Sequence, residues 1–179
     1  MKQPRRIAVV GNSGSGKTAL AAEIAVRLGC PHIELDGIHH RENWTPIERD
    51  EMRRIVAGYL EGDSWVVDGN YQSLVQDLVL ASADTVAWLD LPRRVVMFSV
   101  TRRTIGRMAR RRELWNGNRE RFRNLFRTQP EDNIILWSWT QHEKRRQQYL
   151  AASEDPTNSH LDWVRLESRR AVREWVLSL

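Results

Sequence analysis

The residues with the clearest chemical meaning in this sequence run from Gly11 to Thr18 and fit the pattern G-x-x-x-x-G-K-[ST]. An apolar run at residues 7–10 precedes them, and a segment with helical spacing follows. Glycines let successive backbone N–H groups turn toward phosphate oxygens, and the helix N-terminus adds a favourable dipole. The loop therefore predicts binding of a nucleoside triphosphate, ATP or GTP, by Gly11, Asn12, Ser13, Gly14, Ser15, Gly16, Lys17 and Thr18.

Two side chains of this loop have chemistry of their own. Lys17 is expected to reach the β and γ phosphates as a point charge, which makes it a candidate catalytic residue. The hydroxyl of Thr18 is expected to ligate the Mg²⁺ that bridges those phosphates. The pattern thus predicts both ATP and Mg²⁺ as ligands.

Two carboxylates follow predicted strands and are candidates for the rest of the site. Asp68 ends the apolar strand at residues 65–67 and is predicted to support Mg²⁺, although an Asp-Gly turn is the alternative interpretation. Asp36 ends a predicted strand at residues 32–36. It is expected to accept a proton from a substrate hydroxyl or to hold a Mg²⁺-bound water, with an Asx-turn before Gly37 as the alternative.

Histidines and carboxylates at residues 32–40 could also suggest a structural metal site. Their spacing argues against it, because no pair matches a helix-borne H-x-x-x-H motif and no cysteines assist. We expect His39, His40, Arg41 and Trp44 to line a loop on the substrate side, with ordinary surface packing as the alternative.

Arginines are concentrated between residues 102 and 127, and they are spaced three and four apart, so several guanidinium groups would share one helix face. Such a cluster can neutralise a transferring phosphoryl group. We predict an arginine-rich lid at about residues 102–128, within one domain covering residues 1–179. Its candidate catalytic residues are Arg103, Arg107 and Arg111. The alternative is a solvated helix face paired with Glu113, Glu120 and Asp132.

The composition limits the class of protein. The 179 residues suffice for one domain, and the formal net charge is +5. Cys30 is the only cysteine, which excludes an internal disulfide and a multi-cysteine metal site. We expect a cytoplasmic protein without membrane contact, since the chain start lacks the apolar stretch of a signal peptide and no apolar run approaches about 20 residues.

Strand and helix patterns alternate along the chain and predict an α/β fold, a parallel sheet covered on both faces. Further strands are expected at residues 85–89 and 162–166. We predict helices at residues 19–28, 46–60 with Thr45 as N-cap, 72–81, 93–112, 119–127, 130–152 and 168–177, and a loop at residues 113–118. In such a sheet the ligand crevice lies beyond the carboxyl ends of the strands, where the loop, Asp36, Asp68 and Asp90 fall.

With these motifs, the chain resembles the P-loop kinases of the adenylate kinase-like superfamily, and within it the topology modulation (FlaR-like) proteins. The resemblance rests on residues 11–18, 35–44, 65–71 and 88–92 and on the arginine-rich helix that follows. It implies a P-loop NTPase fold of three α/β/α layers, with a five-stranded parallel sheet ordered 2-3-1-4-5. It also implies ATP on the loop and a helical lid bearing arginines.

The sequence departs from adenylate kinases on the acceptor side. Those enzymes carry Pro-Arg shortly after the Asp-Gly of the third strand. Here Asn70, Tyr71 and Gln72 follow Gly69, and the adenylate kinase lid sequence is missing. The region of Asp36 looks at least as much like shikimate and gluconate kinases. We therefore predict an ATP-dependent phosphotransferase whose acceptor, a nucleotide or a small metabolite, stays open. The alternative is a nucleotide-binding regulatory protein with weak ATPase activity that contacts nucleic acid, although no DNA-binding module is visible.

Overall fold

The computed structural model describes residues 4–71, 73–109, 113–118, 129 and 133–179. Five strands are present: β1 (Arg6–Gly11), β2 (His32–Glu34), β3 (Trp65–Asp68), β4 (Thr85–Leu89) and β5 (Asp162–Leu166). The α-helices are α1 (Lys17–Leu28), α2 (Leu35–His39), α3 (Arg49–Leu60), α4 (Gln76–Ser82), α5 (Arg93–Ala109), α6 (Ile134–Glu154) and α7 (Arg169–Leu177). Short 3₁₀ helices lie at Glu42–Trp44, Trp115–Gly117 and Pro156–Asn158.

All strand pairs in the sheet are parallel, and the order is β2-β3-β1-β4-β5. This confirms the predicted order 2-3-1-4-5. The central strand β1 pairs with β3 on one side, where Val9 lies opposite Asp68, and with β4 on the other, where Gly11 lies opposite Leu89. The carboxyl ends of the three central strands therefore meet where the phosphate-binding loop begins.

Both faces of the sheet are covered by helices, which confirms the three layers. Trp65, Met52 and Tyr149 belong to the core on the face covered by α3, α4 and α6. Ile24 and Val176 belong to the core on the other face, beneath α1 and α7. The central strands are apolar almost without interruption because both of their faces are buried.

The predicted strand at residues 32–36 is too long, and Asp36 does not end a strand. The strand β2 stops at Glu34, which pairs with the last residue of β3, Asp68. Without a partner strand beyond that point, the chain turns into the short helix α2, which contains Asp36.

Two predicted helices start earlier than the observed ones. The helix expected from residue 46 begins at Arg49 with Glu48, not Thr45, as the N-cap. The backbone of Thr45 instead closes the preceding loop, where it accepts from Arg41 N and donates to Glu42 O. The helix expected from residue 72 begins at Gln76, after a turn closed onto the Tyr71 carbonyl oxygen.

The arginine-rich segment is described only in part. Helix α5 extends to Ala109, and the predicted loop at residues 113–118 contains the 3₁₀ helix Trp115–Gly117. Residues 110–112 and the predicted helix at residues 119–127 lie outside the described residues, as does the predicted start of the long helix at residues 130–132. Among the helices that are described, none is long and apolar enough to span a membrane.

Candidate active site

The phosphate-binding loop adopts a conformation that only its glycines allow. Gly11, Gly14 and Gly16 have φ angles of 143°, 85° and 101°, in the region that side chains strongly disfavour. A Cβ atom at Gly14 would lie 2.6 Å from Cβ of Val100, so α5 packs directly against the loop. The helix α1 then begins at Lys17, directly after Gly16. The predicted order of strand, loop and helix is confirmed.

Lys17 points back into the loop. Its ammonium nitrogen Nζ donates to the backbone oxygen of Asn12 at 3.1 Å. Burial lowers the pKa of Lys17 from 10.5 to about 8, an effect that the charges of Asp36 and Asp68 oppose and those of Arg145 and Arg103 reinforce. A buried ammonium surrounded by both signs of charge is poised to receive an anion.

The predicted metal residues Thr18 and Asp68 lie side by side. The Thr18 hydroxyl donates to Oδ2 of Asp68 at 2.6 Å, and the other oxygen of this carboxylate, Oδ1, lies 2.9 Å from Nε2 of His32. Asp68 is almost fully buried. A hydroxyl and a carboxylate beside a phosphate loop fit Mg²⁺, which keeps several waters and takes its remaining ligands from phosphates.

In the described part of the chain, no group of three or more His, Cys, Asp or Glu side chains could hold a metal ion.

Asp36 lies at the crevice although it belongs to a helix. The Tyr71 hydroxyl donates to its Oδ1 at 2.6 Å, and Nε2 of His40 lies 3.5 Å from that hydroxyl. Burial and the neighbouring carboxylate raise the pKa of Tyr71, so the phenol stays protonated. Burial lowers the pKa values of His39 and His40, so both imidazoles are neutral at pH 7.

The loop of His39 and His40 packs against aromatic side chains. The ring of His40 lies 5.2 Å from that of Trp44 and 6.1 Å from that of Trp115. Asn116 and Asn118 fasten this contact, since their carboxamides donate to backbone oxygens of Gly37, His40, Arg41 and Trp115. The segment at residues 113–118 thus rests on the predicted substrate-side loop, and both loop tryptophans take part.

The three candidate lid arginines, Arg103, Arg107 and Arg111, differ in what the structure describes of them. Arg103 is near enough to Lys17 to affect its pKa. Arg107 lies four residues further along α5 and is half-buried. Arg111 lies outside the described residues. Its effect on Lys17 links Arg103 to the phosphate-binding loop.

One face of α6 contributes polar residues that sequence reasoning missed. Ser138, His142, Arg145 and Tyr149 follow one another at spacings of four, three and four, which places them on one side of the helix. The imidazole of His142 lies 3.1 Å from the Leu91 carbonyl oxygen, beyond β4. The spacing of these residues in the sequence could have indicated a shared helix face, but polar residues at helical spacing are equally typical of an exposed face.

Arg145 is the missed residue with the most direct link to the site. Its positive charge acts to lower the pKa values of Lys17, Tyr71 and Tyr149, and it forms a hydrogen bond with Tyr149. Its Nε and Nη1 atoms are buried and have no hydrogen-bond partner among the residues that the structure describes. Buried guanidinium donors without partners can accommodate an anionic ligand.

Asn70 joins α6 to the start of the phosphate-binding loop. Its Oδ1 accepts from the Tyr149 hydroxyl at 2.7 Å, and its Nδ2 donates to the Gly11 backbone oxygen at 2.5 Å. Asn70 and Tyr71, the first two residues after Gly69, are therefore engaged inside the protein: Asn70 braces the loop and Tyr71 holds Asp36.

No family model and no curated protein matches the sequence. Solved structures do match the fold. Shikimate kinase from Bacteroides thetaiotaomicron has a TM-score of 0.56 at 15% identity, over 98% of this chain and 96% of that one. Shikimate kinase from Acinetobacter baumannii in complex with shikimate has a TM-score of 0.57 at 15% identity, over 97% and 89%. A gluconokinase from Sinorhizobium meliloti has a TM-score of 0.51 at 22% identity, over 99% and 92%.

These similarities extend over nearly the whole chain and show that its fold is that of the P-loop kinases. They give no support to the narrower resemblance to topology modulation proteins, which stays a prediction.

Proposed function

We propose that the protein is an ATP-dependent, Mg²⁺-requiring phosphotransferase. The observation that carries this proposal is the environment of Lys17. Its buried ammonium lies within electrostatic range of Asp68, which is bonded to Thr18, and of Asp36, the candidate base. The candidate groups for phosphate, metal and acceptor thus lie within electrostatic range of this ammonium, and a transfer reaction requires its bound partners to be close together.

The loop amides and Lys17 would hold the β and γ phosphates. Thr18 and Asp68 would hold Mg²⁺, Thr18 directly and Asp68 through water. When bound, the ion supplies positive charge that neutralises the phosphate oxygens.

Asp36 would orient or deprotonate the acceptor hydroxyl. Tyr71 occupies Oδ1 of this carboxylate, so we assign Oδ2 to the acceptor. Because the phenol stays protonated, it fixes the carboxylate without competing for the acceptor's proton.

Arg145 and Arg103 would place positive charge around the transferring group, where negative charge is spread over three oxygens. We keep Arg107 and Arg111 as lid arginines that would close over the site and exclude water. Arg145 is the stronger candidate for a direct contact because two of its donor atoms are buried without partners in the described structure.

A small hydroxylated metabolite is favoured over a nucleoside monophosphate as the acceptor. Asn70, Tyr71 and Gln72 follow Gly69, so the segment where adenylate kinases carry Pro-Arg has no arginine for a monophosphate. Asn70 and Tyr71 are instead hydrogen-bonded within the protein. The solved structures similar in fold include kinases named for shikimate and gluconate, both small hydroxylated acids.

One feature favours the alternative, a nucleotide-binding regulator that contacts nucleic acid. Helix α5 contains five arginines and no acidic residue, and Arg94 and Arg102 are exposed. This function requires nucleic acid binding whose affinity falls steeply with salt. Binding with no such salt dependence would remove it.

Replacing Lys17 tests the proposed function. We expect Lys17→Ala to weaken binding of ATP with Mg²⁺ at least about tenfold and to abolish ADP release, because the only loop side chain that can reach the phosphates as a cation is lost. Lys144→Ala, at an exposed position of α6, is the matched control and should leave both unchanged. Isothermal titration calorimetry and a coupled ADP assay measure the two effects. Near-normal binding and turnover in Lys17→Ala would contradict the proposal.

The affinity for ATP should depend on pH through Lys17. Its pKa in the free protein is about 8, so below that pH the ammonium is charged and affinity is constant. Above pH 8 the free protein loses this proton, and binding must take it up again, so affinity should fall by up to about tenfold per pH unit. Calorimetry between pH 7 and 9.5 measures this, and Lys17→Ala should lack the decline. A flat profile in the wild-type protein would contradict the combination of a lowered pKa at Lys17 and phosphate binding by its charged form.

Arg145→Met tests the role of the arginine on α6. We expect ADP release to fall by about 10² to 10³, with ATP affinity reduced much less, because this charge acts mainly on the transferring group. Arg173→Met, at an exposed position of α7, is the control. A loss of ATP affinity with unchanged ADP release at saturating ATP would instead assign Arg145 to ATP binding alone.

A further inference from the structure

We propose that Ser138 is a positioning residue for nucleotide binding. It would hold the first half of the phosphate-binding loop, Asn12 and Ser13, in its binding conformation and tie that loop to the helix that carries Arg145. This inference rests on the proposed function, since it assumes that the loop binds ATP.

The contact between Ser138 and the loop consists of three hydrogen bonds. Nδ2 of Asn12 donates to the Ser138 backbone oxygen at 2.7 Å and lies 3.1 Å from its hydroxyl oxygen. The Ser138 hydroxyl donates to the Ser13 backbone oxygen at 2.8 Å. Ser138 is 0% exposed and Asn12 is 5% exposed, so water cannot easily replace either partner.

Nucleotide binding changes how much the loop depends on this contact. In the structure, Lys17 also supports the loop by donating to the Asn12 backbone oxygen. If Lys17 turns to the phosphates, that bond is given up, and Ser138 then supplies the remaining described side-chain support of Asn12 and Ser13. Its contribution should therefore be larger in the ATP-bound state, which makes it a contribution to affinity and not only to folding.

The same helix face also supports the first residue of the loop, through Asn70. Tyr149, eleven residues after Ser138, bonds Asn70, which in turn bonds the Gly11 backbone. Arg145 lies between these two anchors. One helix thus supports the first three residues of the loop, directly at Asn12 and Ser13 and through Asn70 at Gly11, and it also carries Arg145.

A double-mutant cycle tests the proposal. The variants are Asn12→Ala, Ser138→Ala and the double variant, with dissociation constants for ATP with Mg²⁺ measured by calorimetry. We expect each single change to weaken binding about five- to thirtyfold, and the double variant to bind no more than about threefold more weakly than the weaker single variant. Alanine is a better helix former than serine, so α6 should be retained, and circular dichroism and the melting temperature check this.

Thr140→Ala is the matched control, since this exposed hydroxyl of α6 donates only to the nearby Trp137 carbonyl oxygen. It should leave affinity unchanged.

A Ser138→Ala variant with wild-type affinity and a lowered melting temperature would overturn the proposal, as would effects of the two changes that simply multiply. If the wild-type protein itself fails to bind ATP with Mg²⁺, the proposed function falls as well. Binding by the wild type together with a multiplicative cycle removes only the role of Ser138.

Discussion

The conformation of the phosphate-binding loop is the constraint on which the rest of the structure depends. A Cβ atom at Gly11 would lie 2.8 Å from the Leu89 backbone oxygen, and one at Gly14 would lie 2.6 Å from Cβ of Val100. β4 and α5 therefore approach the loop backbone so closely that only glycine fits at these two positions. The parallel sheet supplies that approach, because its register places Gly11 opposite Leu89.

Under the proposed function, the charges around the loop would serve ligand binding and not the stability of the free protein. Lys17 is buried against a carbonyl oxygen, and Arg145 has donor atoms buried without partners in the described structure. Such groups destabilise a folded chain until an anion compensates them. The two carboxylates in range, Asp36 and Asp68, are each bonded to a neighbouring hydroxyl, of Tyr71 and Thr18 respectively. Under the proposed function, this arrangement would separate an acceptor side from a metal side.

Much of the fold and part of the site could be predicted from the sequence. The loop has a fixed spacing, and buried parallel strands have apolar runs, so β1, β3 and β4 and the position of Asp68 followed directly. The helical position of Asp36 could not be predicted, because it depends on where β3 ends beside β2. Arg145 and Ser138 were missed since hydrophobic periodicity detects apolar faces, whereas α6 contacts the loop with polar side chains. The bracing roles of Asn70 and Tyr71 likewise depend on contacts between distant segments.

The measurement that tests the phosphotransferase account most directly is acceptor-dependent ADP release. The protein is supplied with ATP and Mg²⁺ and, in turn, with nucleoside monophosphates, neutral sugars and small hydroxy acids. The account predicts that at least one acceptor, a small hydroxylated metabolite before a nucleoside monophosphate, raises ADP release far above the rate with ATP alone and yields a phosphorylated product. A rate that no acceptor changes, accompanied by salt-sensitive binding of nucleic acid, would contradict it and favour the regulatory alternative.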